Sequence, residues 1–157
     1  MATERFKITP ASYVFLFNDK NEVLLSLRQN SGYRDGQYQV PAGHAEEHES
    51  FAQCAVREAK EEANVEIKIE DLKLAHVLHR LEGDKEEKDE NVRQRLDVFF
   101  ITRNWAGEIN NNEPEKCVHL KWFPLDNLPD NIFPYIKFVL EECEKGIMFS
   151  ETGFREY

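Results

Sequence analysis

The stretch from Gly43 to Val65 constrains this chain most, because it sets carboxylates where an amphipathic helix ordinarily avoids them. With Ser50 as N-cap and 3.6 residues per turn, Phe51, Ala52, Ala55, Val56, Ala59 and Ala63 share an arc of roughly 140° that would face a core. On that wheel Glu62 falls between Phe51 and Ala55, Glu58 lies beside Phe51, and Glu61 sits about 80° to the side. The acidic trio therefore borders the buried face. Glu58 and Glu62 are also a like-charge i,i+4 pair, and all three crowd the C-terminal half of the helix, where the macrodipole disfavours anions. Arg57 and Lys60 project from the far side of the wheel, so the pattern calls for a further positive charge. A divalent cation, magnesium or in its place manganese, held by the oxygens of Glu58, Glu61 and Glu62 meets that need. The other reading left open is a solvated, Glu-rich helix surface.

The rest of the composition narrows the partners. A formal net charge of -10 argues against sequence-independent binding to long nucleic acid, which needs a basic surface to displace counterions. A small phosphorylated substrate carried on metal remains compatible. Cys54, Cys117 and Cys143 are odd in number and lack CxxC spacing, so neither a disulfide framework nor a four-cysteine zinc site is expected, and the cytoplasm is the default compartment. The first residues lack the apolar stretch of a signal peptide, and no apolar run approaches the roughly 20 residues of a membrane span. At 157 residues the chain is expected to form one domain, compatible with a homodimer.

Ile8 to Phe17 and Glu22 to Arg28 are β-rich runs around the turn-forming tetrad Asn18 to Asn21, and read together as a hairpin. A loop from Gln29 to Gly36 leads to a short strand at Tyr38 to Val40 that ends at Pro41. Glu66 to Arg80 is mostly extended. The charged segment Leu81 to Arg93 reads as an exposed hairpin loop, and Arg95 to Thr102 as a strand. His119 to Phe123 reads as a further strand, and Ile132 to Lys145 has helical periodicity. Strands on either side of two helices predict an α/β fold with a mixed sheet between helical layers.

Gly43, Glu49 and the run Arg57-Glu58-Ala59-Lys60-Glu61-Glu62-Ala63-Asn64-Val65 together resemble the 23-residue signature of the Nudix hydrolase superfamily. Two positions depart from it. Asn64 stands where the pattern has glycine, at a helix C′ position for which asparagine is the best non-glycine substitute, and His48 replaces a glycine before Glu49. The resemblance implies an α/β/α sandwich with a central mixed sheet and hydrolysis of a nucleoside diphosphate linked to another group. It also implies metal ligation by Glu58, Glu61 and Glu62, one of them doubling as base. Glu49 would orient Arg57 or join a second metal, Arg57 would position the helix carboxylates, and Gly43 would permit a close approach of the loop.

Trp105 to Glu108, then Asn112 to Lys116, Trp122 and Leu128-Pro129 resemble the region after the late strand in MutT-like nucleoside triphosphate pyrophosphohydrolases, a looser match than the first. It makes Glu113 an additional catalytic or metal carboxylate, although asparagine and glutamate beside proline are also typical of an exposed loop. Asp97 is a reserve acid, costly if unpaired within its strand unless alternation points it to water. Arg28 and Tyr33 are candidates to contact phosphate and base. His44 and His48 have zinc-compatible i,i+4 spacing but no evident partner. Trp105 and Trp122 read as core or rim aromatics. Three functions follow: magnesium-dependent cleavage of a nucleoside triphosphate, oxidised or otherwise noncanonical ones included, to monophosphate and pyrophosphate; hydrolysis of ADP-ribose or another diphosphate-linked compound; and a catalytically silent nucleotide-binding module. Retention of all four signature glutamates counts against the last.

Overall fold

The computed structural model describes residues 3, 5–82 and 93–154. Most of the charged segment expected as a loop, residues 83–92, lies outside them. In chain order the elements are β1 (Thr9–Leu16), β2 (Glu22–Arg28), β3 (Tyr38–Gln39), β4 (Ala42–His44), α1 (Phe51–Ala63), β5 (Lys73–Glu82), β6 (Arg93–Thr102), β7 (Cys117–Pro124), α2 (Pro134–Glu144) and β8 (Phe149–Thr152). A mixed sheet has the order β4-β1-β6-β5-β8, with β1 parallel to β6 and β5 antiparallel to β6. A second, antiparallel sheet has the order β3-β2-β7.

Strand alternation sorts the core between the two helices. Tyr13, Phe15 and Phe17 of the β1 run join Val23 and Leu25 against Ile136, Val139 and Leu140 of α2. Val14, Leu16 and Leu24 point the other way, onto Ala55, Ala59 and Ala63 of α1. The expected α/β/α layering is therefore present, and Trp105 stacks on Trp122 against the α1 side of the core, with ring centroids 5.8 Å apart.

The expected hairpin needs correction. The Asn18 turn forms, with the Asn18 side chain accepting from the backbone of Lys20 and Glu22, but only a single bridge, Phe17 to Val23, joins the two runs. β1 and β2 then part into different sheets, because each finds its ladder with strands distant in sequence. β8, at the free edge beside β5, was not expected; its four residues are too few to show a period.

Candidate active site

Local sequence sets the frame of α1. The Ser50 hydroxyl accepts from the Gln53 backbone at 3.1 Å while the Gln53 side chain accepts from the Ser50 backbone at 2.9 Å, a reciprocal cap. Asn64 ends the helix in the left-handed conformation, φ 60°, as its position requires. His48, the other departure, also takes a left-handed φ of 65°.

The last turn of a helix leaves carbonyls without partners, and the Asn-rich loop after β6 supplies them. Asn112 donates from its side chain to Lys60 O and from its backbone to Glu62 O, the Asn110 backbone donates to Ala63 O, and the Asn64 side chain donates to Glu108 O. From the other side, the Gln29 side chain donates to Pro114 O at 2.7 Å and its backbone donates to Lys116 O at 2.8 Å. The loop is thus clamped between α1 and the end of β2. Glu113 lines the same cavity, of about 360 Å³, as Glu58, Glu61 and Glu62, and Arg28 and Lys116 add positive charge there.

Arg57 does not project away from the carboxylates, as the wheel suggested. Its long side chain folds back to make a two-pronged contact with Glu49, at 2.7 and 2.9 Å, and reaches Glu58 at 2.6 Å and Glu61 at 3.2 Å. A wheel reports where a side chain starts, and an arginine spans a further turn. Glu49 is engaged behind Arg57 rather than in the cavity; the hydrogen bond from Arg57 brings its carboxyl down to about 2. Glu58 and Glu62 move the other way. Burial raises both, chiefly against the pull of Arg57 for Glu58, while Glu58 and Glu113 reinforce the rise at Glu62. Gly43 makes room for Glu58: a Cβ there would stand 1.9 Å from Glu58 Oε1.

Among the described residues, no three His, Cys, Asp or Glu side chains already form a metal cage. The donor set nevertheless suits a hard divalent cation, since magnesium is commonly held by one or two carboxylates together with substrate phosphates. Arg57 at Glu58 and Arg28 near Glu62 offset only part of the desolvation and mutual repulsion of these carboxylates, and such an ion would supply further positive charge. His44 and His48 do not form a zinc pair. His44 faces a different cavity, and His48 is exposed, with Glu47 3.5 Å away.

A second cavity, of about 450 Å³, adjoins the first, with Arg28 and Gln39 lining both. Tyr33 lies here rather than among the carboxylates, and Gly43 lines this cavity while backing directly onto Glu58. Asp97 is fully buried beneath it, so the alternation that could have pointed it to water does not, and it lines neither cavity. It accepts from Arg80 at 2.5 Å and from Arg95 at 3.4 Å. Arg80, Arg95 and Glu82 were missed from sequence. Their signal was present as Arg80-Leu-Glu82 and Arg95-Leu-Asp97, charges at the period of one strand face.

A three-layer fold that presents helix carboxylates to a cavity flanked by cations offers the donor types from which a divalent cation and phosphate oxygens are commonly bound. The NUDIX domain model matches residues 7–141, and the chain belongs to that family, whose hydrolases act on phosphoric anhydrides. It is 30% identical over 152 residues to Nudix hydrolase 5 of Arabidopsis thaliana, covering 89% of this chain and 46% of that protein. The chain thus spans about half the length of that relative. Its fold is similar to a MutT NUDIX hydrolase from Burkholderia pseudomallei (TM-score 0.74, 21% identity, 87% of this chain and 98% of that one). It is also similar to a MutT protein from Methanosarcina mazei Go1 (TM-score 0.73, 16% identity, 92% and 98%). No helix among the described residues is long and apolar enough to cross a membrane.

Proposed function

We propose that this chain is a single Nudix domain that hydrolyses a nucleoside triphosphate to the monophosphate and pyrophosphate with magnesium, manganese being a substitute. The observation that carries this reading is the convergence of Glu58, Glu61, Glu62 and Glu113 on one cavity that also contains Arg28 and Lys116. Glu58, Glu61 and Glu62 would hold the cation, which when bound supplies Lewis acidity and neutralises phosphoryl charge. Arg57 fixes Glu58 and Glu61 in place, and Glu49 fixes Arg57. Arg28 and Lys116 bind substrate phosphate oxygens. Glu113, tied to Lys116 at 3.1 Å and lining the same cavity, would be the carboxylate from outside the helix that accepts a proton from attacking water.

The second cavity also has room for a group beyond a diphosphate, which keeps ADP-ribose and similar compounds as the alternative substrates. The deciding assay is phosphate and pyrophosphate release from ordinary and oxidised nucleoside triphosphates, ADP-ribose, nucleotide sugars and dinucleoside polyphosphates, with and without magnesium. Glu62→Gln should lower the rate by about a hundredfold or more on the true substrate, the scale of losing one oriented electrostatic group. Turnover on none of these compounds would favour a silent binding module, and metal-independent turnover would defeat the magnesium reading.

A further inference from the structure

Glu113 owes its direction to its neighbours in sequence and to one asparagine. Proline follows it, which biases the Glu113 backbone away from the helical region. Glu113 to Lys116 then close a turn with Pro114 at its second position. The Lys116 backbone donates to Glu113 O at 2.9 Å, and the Cys117 backbone donates to the same oxygen at 2.8 Å. The Glu113 carbonyl is thereby fixed from the C-terminal side.

Asn111 fixes the residue from the other side. Its Oδ1 accepts from the Glu113 backbone N–H at 3.1 Å, and its Nδ2 donates to Cys117 O at 2.7 Å. The two bonds span the loop, joining the residue two before the turn to the first residue of β7. They need an acceptor and a donor at the end of one short, planar side chain. Aspartate would set a lone pair against the Cys117 carbonyl, and serine offers a single oxygen that makes the same local bond more weakly. Both polar atoms of Asn111 are engaged inside the loop and the residue does not line the carboxylate cavity, so it reaches the reaction through Glu113.

The neighbouring contacts differ in kind. Asn112 ties the loop to the last turn of α1 and Gln29 ties it to the end of β2, so they set where the loop lies, whereas Asn111 sets how Glu113 points from it. The structure assigns Asn111 as a positioning residue for the hydrolytic step, holding the Glu113 backbone so that its carboxylate is directed into the cavity with Glu58, Glu61 and Glu62. This role rests on reading Glu113 as the carboxylate that takes the proton from the attacking water. Once its backbone N–H is released, Glu113 stays in the loop but loses its fixed direction. A misplacement of about an ångström is enough to slow the step by roughly tenfold to a hundredfold.

Asn111→Ala should lower kcat about tenfold to a hundredfold with KM changed by less than about twofold, on whichever compound of the panel above the parent turns over fastest. In a Glu113→Gln background the same change should have no further effect on kcat, whereas general loss of structure would lower it in both backgrounds. Amide hydrogen exchange gives a readout independent of turnover: the Glu113 amide, protected in the parent, should exchange about tenfold or more faster in Asn111→Ala. Asn111→Ser should recover part of both losses, and it carries the test if Asn111→Ala does not fold. A parent that turns over nothing in the panel would defeat the hydrolase reading and this role with it. An unchanged kcat in Glu113→Gln would remove the base and this role while leaving the hydrolase reading in place. With an active parent, an unchanged kcat in both Asn111 variants, an equal loss in the Glu113→Gln background, or a Glu113 amide already unprotected in the parent would overturn the role of Asn111 alone.

Discussion

Replacing Gly43 by alanine tests the site through one methyl group. Gly43 sits in β4 opposite Ser12, and its φ is not in the left-handed region, so alanine is compatible with the backbone. The obstacle is Glu58, whose Oε1 and Cδ lie 1.9 and 2.2 Å from where the new Cβ would be. To reach ordinary contact the carboxylate must retreat by roughly 1.5 Å. That movement breaks its 2.6 Å bond from Arg57 while leaving the Glu49–Arg57 contact in place. Because the clash is with the end of a flexible side chain, stability should change by less than about 1 kcal/mol. A ligand carboxylate displaced by about an ångström should cost about a hundredfold in kcat/KM. Steady-state kinetics at saturating magnesium, alongside thermal melting, measures both. A double-mutant cycle supplies the stricter test: in a Glu58→Ala background, Gly43→Ala should have no further effect on rate. Activity within threefold of the parent, or an equal loss in that background, would refute the reasoning.

Two more expectations concern charge. Glu49 is held at about 2 against an ordinary 4.5, so it stabilises the fold above pH 4.5 and loses that contribution as pH falls toward 2. The contribution is on the order of 2 kcal/mol after solvent screening. The stability difference between parent and Glu49→Gln in urea melts should shrink across that window, and a difference that stays flat from pH 6 to 3 would contradict the assignment. Among the described residues, Arg80→Leu leaves the fully buried Asp97 with only its longer side-chain contact to Arg95, and should destabilise by about 3–5 kcal/mol. A loss below 1 kcal/mol in chemical denaturation would show that Asp97 does not depend on Arg80.

The sequence by itself determined the parts whose forces are local. Ser50 and Asn64 bracket α1, and 3.6 residues per turn puts Glu58, Glu61 and Glu62 beside its buried edge, because helix hydrogen bonds and caps join residues at most a few positions apart. The parting of β1 from β2 was not legible, since both satisfy the same hairpin pattern and only distant partners choose their sheets. The reach of Arg57 back to Glu49 depends on how the loop enters α1. The place of Glu113 depends on asparagines that satisfy helix carbonyls about fifty residues earlier in the chain. The i,i+2 spacing of Arg95 and Asp97 put them on one strand face, but which way that face pointed, and that Arg80 would meet Asp97 there, was decided only when β5 and β6 paired in register. A helix writes its geometry into neighbouring residues, whereas a cavity between strands exists only once register is fixed, and register is a property of the whole sheet.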